Sequence, residues 1–338
     1  MKKFSFIALA AAGLLMASCS QEEVVKPGAD EGNFTVTVAL PADLATRAFG
    51  TGLVADNLLY AVYDITEGDY RLVTTGRGNF GFSLRTQVEL KLAVGKNYKI
   101  AFFAQSGLSE KQTGGNQVYL FDPEAREIVV NYYLMTSDGN LGDAYDCFYN
   151  AYETGTVTAG MEGTTIYLYR PVAQINWGTN DYDEVAVKDD NAFGENGQYV
   201  ATNLKMKAHT RYDFFGGEKG LGDVKGQPQE ITMGWQNFAA PTAETFPVEG
   251  YQYVAMQYVL APKASALYNL NLNIDNDNNP NVEFVTNVDV AVTNAPLQAN
   301  FRTNIYGALL TNPTVFNVVK SEIWDGPDHN VMMPQTQN

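Results

Sequence analysis

Residues 34–40 read Phe-Thr-Val-Thr-Val-Ala-Leu, and residues 267–274 read Leu-Tyr-Asn-Leu-Asn-Leu-Asn-Ile. Large apolar side chains recur at every second position in both. Successive side chains of an extended chain point to opposite sides, so a period of two belongs to a strand with one face in a core. The first stretch puts Phe34, Val36, Val38 and Leu40 on one face, with Thr35, Thr37 and Ala39 on the other. The second puts Tyr268, Leu270, Leu272 and Ile274 inward, against an outer row of Asn269, Asn271 and Asn273. Further strand-like runs fall at 57–65, 87–94, 98–105, 126–134, 164–177, 251–260, 282–292 and 301–310. Clusters of Gly, Asn and Asp separate them, and "DNDNNPN" reads as a hairpin turn. No segment sustains a helical period beyond about three turns. The pattern predicts an all-β fold of antiparallel β-sandwiches. A chain of 338 residues has room for two in tandem. The expected join is "GTVTAGMEG", with units at 48–160 and 161–338.

Composition narrows the function classes. A hydrophobic fraction of 45%, with 12% aromatics, supports packed cores. The formal charge of -16 offers no electrostatic footprint for nucleic acid and is repelled by an anionic membrane surface. The start, "MKKFSFIALAAAGLLMASCS", has two lysines, an apolar run and small residues before Cys19. It reads as a secretory signal over 1–18, too short to span a bilayer. Its end resembles a bacterial lipobox, with Met16 at the position usually held by an aliphatic residue. Cys19 is therefore the expected lipidation site and the anchor to the outer membrane. Cleavage there also removes Lys2 and Lys3, which takes the net charge from -16 to -18. Only Cys147 then remains. It has no disulfide partner and reads as a small buried apolar residue rather than a nucleophile.

The sequence offers little catalytic chemistry. His209 and His329 stand apart, without the support that a triad or a zinc site needs. The run from Asp275 places Pro280 where a calcium loop needs Gly and Thr286 where it needs Glu, which rules out an EF-hand. The glycine-rich stretch 214–226 has no Lys-Ser or Lys-Thr after it and is not a phosphate loop. No cofactor, metal or enzymatic activity is expected.

One residue stands out by isolation. Arg47 is the only Lys or Arg between Lys26 and Arg71, and it follows the strand 34–40 by one short connector. Alone it reads as a solvated loop arginine. The lipidated leader, the strand, "LATR-AFGTG" and the next strand together resemble the type V pilins, or fimbrillins, of outer-membrane anaerobes. "YRPVAQINW" (169–177) resembles the strand that opens that family's second domain. "FRTNIYGALLTNPTVFNVVKSEIW" (301–324) resembles its C-terminal strands. The resemblance implies two transthyretin-like sandwiches and a lipidated propeptide at 19–47. It also implies cleavage between Arg47 and Ala48 by an Arg-specific extracellular protease. Loss of the strand carrying Phe34, Val36, Val38 and Leu40 would then open a groove. A strand from another copy or another fimbrial subunit would fill it, with the candidate donor around Val315, Phe316, Val318, Val319 and Ile323. The implied role is a structural subunit of an adhesive surface fimbria. The alternative is an uncleaved surface lipoprotein that binds glycan or protein, or a fimbrial anchor.

Overall fold

The computed structural model describes residues 31–41, 55–81, 83–107, 117–136, 142–188, 199–239, 246–275 and 288–323. Twenty strands run through them. The first part of the chain supplies β1 (Glu31–Ala39), β2 (Asn57–Asp64), β3 (Arg71–Asn79), β4 (Arg85–Ala93) and β5 (Asn97–Gln105). It continues with β6 (Tyr119–Asp122), β7 (Glu127–Val130), β8 (Cys147–Thr156) and β9 (Thr164–Tyr167). Then come β10 (Val172–Thr179), β11 (Tyr199–Ala208), β12 (Arg211–Asp213), β13 (Asp223–Val224), β14 (Gln229–Thr232) and β15 (Gln236–Ala239). The last are β16 (Gln252–Leu260), β17 (Ala266–Ile274), β18 (Val288–Leu297), β19 (Phe301–Gly307) and β20 (Phe316–Ile323). A short helix, α1 (Tyr182–Lys188), follows β10.

The fold is all-β and mainly antiparallel, as the alternation predicts. The strands pair as β4-β1-β9, β3-β2-β5-β8, β6-β7-β12-β13, β16-β10-β19-β20 and β14-β11-β17-β18, with β15 added to β11. The contacts β1–β9 and β10–β19 are parallel. In β17, Tyr268, Leu270, Leu272 and Ile274 are buried, as the sequence requires. The expected hairpin turn at "DNDNNPN" and residues 282–287 of the expected strand lie outside the described residues, and β18 carries the rest of that run.

The sheet β3-β2-β5-β8 is covered on both faces. One face sends Leu58, Val62, Ile100, Phe102 and Phe148 into a core shared with β1, β4 and β9. The other sends Leu59, Ala61, Tyr63, Phe103 and Tyr149 toward Tyr119, Ile128, Tyr212 and Phe214 of the β6-β7-β12-β13 region. Ring contacts join the two layers, Phe103 to Tyr119 at 5.8 Å and Tyr149 to Tyr212 at 5.1 Å. A strand buried on both faces needs no alternation, which accounts for the near-continuous apolar runs of β2 and β5. The glycine-rich stretch 214–226 becomes the β12–β13 connection. Gly222 has φ +87°, and a Cβ there would meet the rings of Tyr149 and Tyr212 at 2.5 and 2.6 Å. Only glycine suits both demands.

Two predicted strands are broken in the structure. The run 164–177 divides into β9 and β10 at Leu168–Pro171, because Pro171 has no N–H to donate and Arg170 turns inward. Arg170 meets Asp146, Nη2 to Oδ2 at 2.9 Å and Nε to both carboxylate oxygens at 3.0 Å, and both residues are buried. The run 126–134 stops at Val130, and Tyr132–Leu134 form a tight turn instead. The Tyr132 hydroxyl donates to the His209 carbonyl and accepts from the Leu260 N–H, which holds the chain off the strand path. β9 lies beyond the 160/161 join expected from composition, and it pairs with β1. Sheet membership changes between β9 and β10.

Candidate functional site: the place filled by β1

β1 occupies the middle of its sheet. On one side it runs antiparallel to β4, from Glu31 opposite Ala93 to Ala39 opposite Arg85. On the other it runs parallel to β9, from Val36 beside Thr164 to Ala39 beside Tyr167. Its alternation sends Phe34 (1% exposed), Val36 (0%), Val38 (0%) and Leu40 (3%) into the core. There they join Leu58, Val62, Leu90, Ile100, Phe102 and Ile166. Phe34 also stacks on Tyr152 at 6.2 Å. Burying four such side chains contributes roughly 1.5–3 kcal/mol each. The buried face of β1 has no charged residue, so its fit is one of shape and backbone pairing.

Local chemistry defines both ends of the strand. The Leu40 N–H donates to the Leu84 carbonyl, and the Leu168 N–H donates to the Ala39 carbonyl, each at 2.8 Å. Pro41 then removes the next donor, and the strand stops. Before β9, Gly163 lets the neighbouring chain lie against β1, since a Cβ there would sit 2.8 Å from the Thr35 carbonyl oxygen. Sequence reasoning did not single out Gly163. Its signal was a glycine directly before a strand, which is common in turns and marks no close approach by itself.

The other expected residues fall into two groups. Cys19, Arg47, Ala48 and His329 lie outside the described residues. The candidate donor segment forms β20, which pairs antiparallel with β19 from Gly307 opposite Phe316 to Phe301 opposite Ile323. Phe316 and Val318 are half-buried against the core, while Val319 is 45% exposed. Val315 precedes β20 and is 65% exposed. β20 stands at the end of the order β16-β10-β19-β20, so one of its two backbone edges has no partner strand among the described residues. The structure brings Phe34, Val36, Val38 and Leu40 together in one core and places β20 in a different sheet.

The remaining reactive groups are quiet. Cys147 is buried, and burial pushes its thiol pKa up, as expected of a packed apolar residue. His209 is largely buried, and burial lowers its imidazole pKa. Among the described residues, no three His, Cys, Asp or Glu side chains gather in a way that could hold a metal ion.

Several solved structures show a distant similarity to this chain. A candidate cell adhesion protein from Bacteroides ovatus is 12% identical, covers 88% of this chain and 98% of its own, and has a TM-score of 0.44. The C-terminally truncated tip fimbrial protein Mfa3 from Porphyromonas gingivalis is 12% identical over 86% of this chain and 98% of its own, at 0.40. Candidate polysaccharide-binding proteins from Bacteroides thetaiotaomicron are 13% identical over 84% and 95%, at 0.41. At that identity and overlap the likeness does not extend to activity. Comparison with curated proteins finds no match. The model of a family of unknown function, DUF6562, matches residues 26–337, and the chain belongs to that family.

Proposed function

We propose that this chain is the precursor of a structural subunit of an adhesive surface fimbria. It is exported with a signal at 1–18, tethered to the outer membrane through Cys19, and activated by an Arg-specific protease that cuts after Arg47. One observation carries the reading. β1 lies just ahead of Arg47, it is a central strand rather than an edge, and its four inward side chains are fully packed. A cut after Arg47 separates β1 covalently from the rest of the chain together with the lipid anchor. If β1 then leaves, β4 and β9 lose their shared neighbour, and unpaired N–H and C=O groups border an apolar groove. Such a groove is costly until another strand fills it. The strand that enters comes from a second copy or another fimbrial subunit. Strand addition of this head-to-tail kind does not close on itself and therefore extends into a filament.

The test is the N-terminal residue and intact mass of protein recovered from the cell surface, beside an Arg47→Ala variant. The expected wild type begins at Ala48 without lipid and is polymeric. The expected variant keeps an acylated Cys19 and stays monomeric. Wild-type protein that retains acylated Cys19 would reduce Arg47 to a loop residue and leave an uncleaved surface lipoprotein.

A further inference from the structure

β4 has one ladder partner among the described residues, and that partner is β1. At the start of β4, Arg85 stands opposite Ala39 and Thr86 opposite Val38. Just before it, the Leu84 carbonyl accepts the Leu40 N–H at 2.8 Å. A local bond, from the Arg85 N–H to the Ser83 hydroxyl at 3.1 Å, does not involve β1. The side chain of Arg85 is exposed.

The other arginines among the described residues are held without β1. Arg71 and Arg77 pair with β2, Arg211 pairs with β7, and Arg302 pairs with β10. Arg170 is buried against Asp146 and precedes Pro171. Arg126 lies in the β6–β7 turn with φ +56°, and its carbonyl accepts the Phe214 N–H at 2.9 Å. Arg85 is thus the described arginine whose backbone pairing goes when β1 goes.

A peptide bond inside a ladder is cut only when the ladder opens, so its cleavage follows the population of the open form. With β1 seated, the Arg85–Thr86 bond is closed in this sense. With β1 gone, the strand that carries it has no rungs, and its basic side chain is already outside. We propose, given the release of β1 put forward above, that Arg85–Thr86 is a second processing site for an Arg-specific protease. It is masked while a strand fills the place of β1 and open while that place is empty. Water adds across the amide, leaving a carboxylate on Arg85 and a new amine on Thr86. The cut frees the leading end of β4, which carries Val88, Leu90 and Leu92 into the core shared with Phe34, Val36 and Val38. A subunit left unfilled therefore loses one wall of its groove. A subunit that captures a strand regains the rungs at Arg85 and is spared. The activity that starts assembly then also removes subunits that fail to assemble.

Digestion of full-length chains with a purified Arg-specific endoprotease, read by intact mass and N-terminal sequence, tests the proposal. In the Arg47→Ala chain β1 stays attached and seated, and Arg85 is expected to resist. Adding Val36→Asp puts a carboxylate where Val36 is fully buried and expels β1 without any cut. Cleavage to a new Thr86 N-terminus is then expected to be about tenfold faster or more. A synthetic peptide of residues 31–41 is expected to restore resistance by pairing with β4 again. Wild-type chain is expected to be cut after Arg47 first and after Arg85 second. A wild type that resists at Arg47, beside a Val36→Asp chain that opens at Arg85, would fail the maturation reading and still support the masking. The proposal is overturned if Arg85 is cut at the same rate with and without Val36→Asp, or if the peptide gives no protection. It is also overturned if Arg71, Arg77 and Arg211 are cut as fast as Arg85, since the fold as a whole would then have opened.

Discussion

Arg170 and Asp146 show how much one residue can hold. Both are withdrawn from water, and the guanidinium meets the carboxylate through Nε and Nη2 while lying 4.6 Å from the centre of the Phe148 ring. Removing one partner strands the other charge. Arg170→Leu is expected to cost about 3–5 kcal/mol in urea unfolding, and the double change with Asp146→Leu to recover much of that loss. A double variant as unstable as the single one would mean that packing of the arginine stem, and not its charge, is what matters. Asp64 makes a different case. Burial by itself would raise its pKa, but hydrogen bonds outweigh that and hold the carboxyl below the usual carboxylate range. They come from Lys96 at 2.6 Å, from the N–H and hydroxyl of Thr66 at 3.0 and 2.6 Å, and from Arg71 at 3.1 Å. A depressed folded pKa contributes stability above the unfolded value of about 3.9 and loses it as pH falls through the folded value. Asp64→Asn is therefore expected to lower stability at neutral pH by about 1 kcal/mol. The gap between the two proteins should begin to narrow as pH falls below about 4 and close only below the folded value. Unfolding midpoints across that range check it, and a gap that stays constant in acid would assign the effect to shape. Neither constellation was legible beforehand. Arg170 stood out in "YRPVAQINW", but Asp146 lies 24 residues earlier, and only the packing of β8 against the β9–β10 crossover brings them together.

The elements were legible where one face meets water. β1 and β17 announced themselves by alternation, and the structure buries the faces that alternation selects. The double coverage of β2 and β5 was less plain. Their apolar runs marked strands, but a run buried on both faces does not say what covers it, and β6, β7, β12 and β13 are too short to carry a period. The candidate site was half readable. The face of β1 followed from its residues, whereas its central place between β4 and β9 depends on long-range pairing that no local pattern encodes. That place sets a prediction. A chain that begins at Ala48 lacks β1 and should present an apolar groove, expected to bind a hydrophobic dye and to associate. A peptide of residues 31–41 should suppress both effects by restoring the rungs to β4 and β9. The same peptide with Val36→Asp should fail, because the charge would enter the core where Val36 is fully buried. Equal suppression by both peptides would show that the groove is not the apolar surface responsible. The donor is the less legible partner. β20 offers Phe316 and Val318 on one face but continues with Lys320, so it lacks the four consecutive inward apolar positions of β1.

At the scale of the whole molecule, charge and groove act on different steps of assembly. Removing residues 1–47 takes away four basic and five acidic residues and leaves a net charge of -15. Two such subunits repel before any strand can enter. The Debye length falls from about 30 Å at 0.01 M salt to about 10 Å at 0.1 M, so added salt screens approach over distances comparable to a domain. The contacts that hold β1 are apolar side chains and backbone rungs, and salt changes these little over that range. Growth of fibres from the cleaved chain is therefore expected to accelerate several-fold between about 0.01 and 0.15 M salt, with dissociation nearly unchanged. Light scattering after protease addition follows the first, and dilution of finished fibres follows the second. Growth that slows with salt would mean that complementary charged patches guide the docking despite the net repulsion. Fibres that dissolve with salt would mean that the link between subunits is ionic, which the neutral, fully packed face of β1 does not permit.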